Sequence, residues 1–240
     1  MKKLKELKGI FIGIVLILFI LGFWSVLWGE KRRYPGHKVT HESGQPFWHK
    51  EYRTYEDYIQ NQCAKLGRID LSHYDIKYRR FLRGRLKKLN VLRPGASVLC
   101  LGARLGTEVK AFLDIGCFAV GVDICPGIDN RYVVLGDFHD IQFPPNTVDV
   151  VFTNSLDHAF SIQKLLDEIK RVLKPDGFLI VEAAAGYDEG MNIGGCESFY
   201  WAKIDDLVSL FEVSKFSLMQ RASFVYPWLG QQICLRRAIK

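Results

Sequence analysis

The sequence has no CxxC pair, no Asn-x-Ser/Thr acceptor site, no internal repeat and no low-complexity tract. The first absence counts against a zinc ribbon or a thioredoxin-like redox pair. The cysteines are Cys63, Cys100, Cys117, Cys125, Cys196 and Cys234, several of them inside apolar runs. They read as buried thiols in a reducing compartment rather than as a disulfide framework. His37 and His41 have helical i, i+4 spacing, but Pro35-Gly36 precedes them and no third ligand is near, so no metal site is expected.

Basic residues are scarce in the larger, C-terminal part. Residues 94–240 hold 13 Lys and Arg against 18 Asp and Glu, whereas residues 1–93 hold 20 against 8. A nucleic-acid enzyme would carry its positive charge around its site, so nucleic acid is not an expected partner. A basic N-terminal part suits anionic lipid headgroups better.

Charge is missing altogether from residues 9–29, GIFIGIVLILFILGFWSVLWG. At 1.5 Å per residue such a helix crosses a hydrocarbon core of about 30 Å. Trp24 and Trp28 fall where an aromatic belt would lie. A signal peptide would have a shorter apolar region and a small-residue cleavage site; WGEKRRYPG follows instead. The reading is a single-pass membrane anchor. Lys2, Lys3, Lys5 and Lys8 before it nearly balance Lys31, Arg32, Arg33 and Lys38 after it. The missing acceptor site and the apparent free thiols favour a main domain on the cytosolic side.

Residues 1–29 are thus expected to be the anchor. Residues 30–90 would be a basic juxtamembrane linker with capping helices, and residues 91–240 the main domain. Residues 72–89 are amphipathic, with Tyr78, Phe81, Leu82, Leu86 and Leu89 at helical spacing. Such a helix packs on the domain edge or lies on the membrane surface. After Arg93-Pro94-Gly95, strand signals at 97–101, 119–122, 132–135, 148–152 and 178–181 alternate with helical ones at 107–115 and 161–173. This alternation predicts a Rossmann-like, doubly wound α/β fold, with a mostly parallel sheet and helices on both faces. Ligands of such sheets bind beyond the carboxyl ends of the strands.

The first strand ends in SVLCLGARLGTEV, residues 97–109. Gly102 and Gly106 permit a tight turn with close backbone approach. Asp123 ends the second strand, where a carboxylate can accept both ribose hydroxyls. Asp137, after the third, could accept from an adenine amino group, with Phe138 beside the ring. A G-x-G-x-x-G series from Gly102 needs glycine at 104 and 107 but meets Arg104 and Thr107; GxxxxGK[ST] is absent too. A pyrophosphate cradle is therefore disfavoured, and with it a nicotinamide oxidoreductase. A ligand with ribose and adenine but no phosphates fits better.

The order VLCLGARLG, VGVD, GDFHDIQFPPNTVDVVFTNSLDH and EIKRVLKPDGFLIVEA resembles the class I S-adenosylmethionine-dependent methyltransferases of the type 11-like group, over roughly residues 91–190. The resemblance implies a seven-stranded sheet ending in a hairpin, here at 212–219 and 231–237. It implies S-adenosylmethionine as cofactor. Gly102, Ala103, Arg104 and Gly106 would meet its methionine end, Asp123 and Ile124 its ribose side, and Asp137 and Phe138 its adenine. Asn154 and Ser155 would lie beside the methionine end and the acceptor entrance. Two positions depart from the pattern. Cys100 stands where an acidic residue usually positions the cofactor's ammonium group, and Arg104 where a third glycine is usual. A thiol does not replace a carboxylate; Arg104 adds bulk but could meet the cofactor's carboxylate.

Methyl transfer needs mainly proximity and alignment, plus a base if the acceptor must lose a proton early. Asp157 and His158 stand where such a base would be; the alternative is that His158 caps a helix or packs under a loop. The glycine-rich segment 185–195 is either a substrate lid or an ordinary surface loop, and Tyr200 and Trp201 either line a pocket or fill the core. The expected activity is methylation of a small-molecule or lipid acceptor at a membrane. The competing expectation is a non-catalytic, cofactor-binding scaffold.

Overall fold

Elements follow one another as β1 (Val39–His41), β2 (Phe47–Lys50), α1 (Tyr55–Cys63), α2 (Ser72–Leu86), β3 (Ser97–Leu101), α3 (Thr107–Leu113), β4 (Phe118–Asp123), β5 (Val133–Leu135), β6 (Val148–Thr153), α4 (Ile162–Val172), β7 (Leu173–Ala184), β8 (Phe199–Trp201), α5 (Ile204–Val213), β9 (Phe216–Phe224) and β10 (Gly230–Arg237). This computed structural model describes residues 39–41, 44–64, 72–191 and 194–238. All of these fall within one unit, Lys38–Lys240. The apolar run 9–29 and His37 lie outside the described residues. Among the described residues no helix is long and apolar enough to cross a membrane.

Seven strands form one sheet in the order β5-β4-β3-β6-β7-β10-β9. Strands β5 to β7 pair in parallel, and β10 joins antiparallel to both β7 and β9. The chain leaves β3 toward β4 and β5, then returns on the other side of β3 as β6 and β7. The end of β3 is therefore the switch point at which such sheets open a crevice.

Alternation along β3 explains the two buried layers. Leu99 and Leu101 face a core shared with α4 and α5, while Val98 and Cys100 face one shared with α2 and α3. Helix α4 buries Ile162, Leu165, Leu166, Ile169 and Val172, one stripe at helical spacing, and Ser161 caps its first turn by accepting from Lys164 N–H. Helix α2 buries Tyr78, Leu82 and Leu86 against the sheet and leaves Phe81 exposed. Its main apolar face is therefore packed on the domain, as the edge-packing alternative has it.

Two predicted boundaries shift markedly. Strand β7 starts at Leu173, before the Pro-Asp-Gly turn, and the turn is accommodated as a break in register against β6, with Asp176 at φ 62°. The first hairpin strand begins at Phe216. Residues 212–213 end α5, and Lys215 at φ 68° stops the helix before the chain extends. A second small sheet, β1-β2-β8, was not foreseen; β2 pairs with β8 some 150 residues later.

Candidate functional site

The turn after β3 is left-handed at three places: Gly102 (φ 68°), Arg104 (φ 41°) and Gly106 (φ 75°). Glycine is required at 102 for space as well, since a Cβ there would meet Ser155 at 2.7 Å. Arg104 takes a conformation that non-glycine residues adopt at a cost of order 1 kcal/mol. It is held there: its N–H donates to Asp123 Oδ2 at 2.9 Å, and its carbonyl accepts from Asn130 Nδ2 at 2.7 Å. Asp123 also accepts from Cys125 N–H at 2.8 Å through Oδ1. One carboxylate thus fixes the turn after β3 and the loop after β4.

A cavity opens over these strand ends. Gly102, Arg104, Asp123, Ile124 and Phe138 line it, together with Ser155 and His158. Ala103 lies beneath, buried in the core. Gly106 caps α3 without lining the cavity. The remaining wall is Tyr58, Gln62 and Cys125. Tyr58 and Gln62 come from α1, a segment whose aromatic residues gave no positional signal in sequence.

Helix α1 is tied down at three points. The Tyr55 hydroxyl donates to Asp137 Oδ2, and the Tyr58 hydroxyl donates to the His158 carbonyl at 3.1 Å. Cys63 at its end is joined to Cys125 by a disulfide, with Cα atoms 5.5 Å apart. The free-thiol expectation is corrected for this pair: the partners are 62 residues apart and only the fold brings them together. Cys100, Cys117, Cys196 and Cys234 are free.

Asp137 is turned to this capping role. Its Oδ1 accepts from the His139 backbone N–H at 2.8 Å and from His139 Nδ1 at 2.9 Å. His139 Nε2 accepts backbone N–H groups of Phe160 and Ser161, so Nδ1 carries the proton. Burial alone would raise the Asp137 carboxyl; the hydrogen bonds from His139 and Tyr55 outweigh it and hold it near 2. Its carboxylate is thus engaged with α1 and His139, and it is not among the residues lining the cavity.

Asp157 and His158 lie on a single 3-10 turn, Leu156–His158, and face different spaces. His158 borders the cavity above. Asp157 borders a second, mostly apolar pocket with Tyr187, Met191, Glu197, Tyr200 and Trp201. His158 Nδ1 lies 3.1 Å from the Cys196 carbonyl, which can only accept. That contact places a ring proton on Nδ1, and Nε2 lies 3.9 Å from Asp157 Oδ1.

Asn154 points away from that second pocket, toward α2 and α3. Its Nδ2 donates to the Tyr78 hydroxyl at 2.9 Å and to Glu108 Oε1 at 2.8 Å. Glu108 is 4% exposed, and burial pushes its carboxyl up to about 7, against the pull of Arg104, a backbone N–H and Asn154. Beside it, Glu182 accepts from Tyr78, from Gln232 and, in a two-point pair, from Arg85. Glu108 was missed in sequence because a glutamate in the first turn of a helix is commonplace.

Residues 99–181 match a family model described as a methyltransferase domain. Structural similarity extends much further along the chain. A Burkholderia thailandensis 1,6-didemethyltoxoflavin-N1-methyltransferase, solved with 1,6-didemethyltoxoflavin and S-adenosylhomocysteine, superimposes with a TM-score of 0.62. It is 15% identical, over 83% of this chain and 99% of that one. This is the fold of the methyltransferases. A SAM-dependent methyltransferase from Aquifex aeolicus shares it with a TM-score of 0.54 at 16% identity, over 65% of this chain and 89% of its own. So does the [4+2]-cyclase SpnF, with a TM-score of 0.55 at 15% identity, over 68% of this chain and 81% of its own. The methyltransferase fold therefore carries more than one reaction, and the site has to supply the rest of the argument. No curated protein matches the sequence.

Proposed function

We propose that the chain is an S-adenosylmethionine-dependent methyltransferase acting on a small-molecule acceptor at a membrane. The observation that carries this reading is Asp123. It ends β4, lines the cavity, and has one oxygen on each of two backbone N–H groups, so each oxygen keeps further acceptor capacity. Such a carboxylate suits a ribose diol and repels a phosphate. Ile124 and Phe138 give the same cavity apolar walls suited to a purine. Gly102 keeps the floor free of side-chain bulk. The residues present therefore fit S-adenosylmethionine better than a dinucleotide.

The bound cofactor supplies a methyl group on a sulfonium sulfur, already activated for displacement. The chain's task is alignment and exclusion of water. Tyr58 and Gln62 close the cavity from the side of α1. His158 at the wall of this cavity and Asp157 at the neighbouring pocket are the candidates to take a proton from the acceptor. Tyr187, Met191 and Trp201 shape the neighbouring apolar pocket for the acceptor.

Membrane attachment is the second part of the proposal, and it rests on the uncharged run 9–29 with its flanking basic residues. The missing glycosylation site favours a cytosolic position for the catalytic domain, whereas the Cys63–Cys125 disulfide favours an oxidising compartment and opposes it. A non-catalytic scaffold is the competing reading, motivated by Cys100. Transfer of labelled methyl from the cofactor to extracted lipid or small-molecule fractions separates the two.

Calorimetric titration of the full chain in detergent with S-adenosylhomocysteine, with NADH as control, tests the cofactor. Micromolar binding is expected for the first and none for the second. Asp123→Ala should weaken binding at least tenfold, because a ribose diol loses its acceptor and two loops lose their tie. NADH binding, or a folded chain blind to S-adenosylhomocysteine, would sink the proposal.

A further inference from the structure

Cys100 leaves the site without the carboxylate usual at its position, and the thiol is wholly buried in the core shared by α2 and α3. The charge closest to it in effect is Glu108: burial first, and then this carboxylate, push the Cys100 thiol up. Glu108 reaches this place from the next helix. A buried carboxylate is costly unless cations or several donors meet it. Glu108 has one side-chain donor, Asn154 Nδ2, and takes part in no ion pair among the described residues.

Arg104 is the complementary case. Its guanidinium, also outside any ion pair among the described residues, lies 5.8 Å from the centre of the Tyr74 ring. The Tyr74 hydroxyl is buried and has no hydrogen-bond partner among the described residues. Its strongest electrostatic neighbours are Glu108 and then Arg104. Asn154 connects this group to the cavity. Its Oδ1 accepts from the Ser155 hydroxyl at 3.1 Å, which also lies 3.3 Å from the Gly102 carbonyl. A negative group, a positive group and an unused hydroxyl therefore gather at the end of β3, beside Gly102.

We infer that Glu108 and Arg104 form a clamp for an α-amino-acid zwitterion, with Glu108 receiving the cofactor's ammonium group and Arg104 its carboxylate. The inference rests on the S-adenosylmethionine reading and adds the two residues that hold the methionine end. Glu108 replaces the carboxylate missing at position 100. Arg104 accounts for a side chain kept at a left-handed position where glycine is easier. Both are positioning residues: they fix where the sulfur sits and take no part in bond changes. Arg104, Asn154, Tyr74, Tyr78 and Glu182 are the groups that set when Glu108 ionises.

Two ligands test the clamp on the full chain in detergent. S-adenosylhomocysteine has the zwitterionic end; 5′-methylthioadenosine keeps the adenosine and sulfur but lacks it. Glu108→Gln and Arg104→Gln should each weaken S-adenosylhomocysteine at least tenfold and leave methylthioadenosine within twofold. In the unaltered chain, affinity for S-adenosylhomocysteine should rise between pH 6 and 8, with a flat profile for methylthioadenosine and a shallower one after Glu108→Gln. Equal losses for both ligands would make the residues merely structural and overturn the clamp, as would no loss for either. An unaltered chain that binds neither ligand overturns the cofactor reading, and the clamp with it.

Discussion

At the scale of single residues, a buried carboxyl group couples the site to stability. Glu108 ionises near 7 when folded, above the 4.5 of an unstrained glutamate. Between those values the folded chain holds a proton that the unfolded chain has lost. Raising the pH from 5 to 8 therefore favours unfolding, and the penalty is complete once the folded group has ionised. From the size of the displacement it reaches about 3 kcal/mol in the ligand-free chain. Urea unfolding at pH 5 and 8 should show unaltered protein losing roughly that much more stability than Glu108→Gln over the interval. Parallel pH dependence in the two chains would contradict this account. If the proposed clamp holds, a bound ammonium group offsets this penalty.

Helix α1 is the element that adds a side wall to the cavity over the strand ends. Local sequence makes it a helix: Thr54 caps it by accepting from Asp57 N–H, and Glu56 and Asp57 occupy its first turn. Local sequence does not say where it goes. Tyr55, Tyr58 and Cys63 decide that, by contacts with Asp137, His158 and Cys125. Thiol titration of the denatured, unreduced chain should give four free thiols, those of Cys100, Cys117, Cys196 and Cys234. Cys63→Ser should lower stability by up to about 4 kcal/mol, the chain-entropy value for a loop of some 60 residues. It should also expose α1 to proteolysis in the ligand-free chain. Six free thiols, or a cap equally protected after the substitution, would show that the tie is not made.

For the whole molecule, the question is what the uncharged N-terminal run does to a domain that carries its own core. The full chain should stay with the membrane fraction through alkaline extraction, and removal of residues 1–29 should release it. Binding of S-adenosylhomocysteine should survive that removal, because both buried layers and the cavity are built from residues after 38. Release of the full chain by alkali would turn the run into something other than an anchor. The apolar pocket bordered by Tyr187, Met191 and Trp201, proposed above for the acceptor, suits an apolar one.

The amino-acid sequence by itself determined the parallel sheet and the place of its crevice. Apolar strands, a glycine turn and the carboxylate of Asp123 are local features, and β3 is found where its pattern put it. Strand ends drifted where a single positive φ, at Asp176 or Lys215, redirected the chain. Tertiary structure alone decided what depends on distant pairs: the Cys63–Cys125 bond, the β2–β8 ladder, the closing of the cavity by Tyr58, and the work of Asp137 as an anchor for α1. It also decided the meaning of Cys100 and Glu108. In sequence the first is a missing charge and the second an ordinary helix residue. Folding buries the thiol and brings the carboxylate into its neighbourhood, because β3 and α3 pack on the same core.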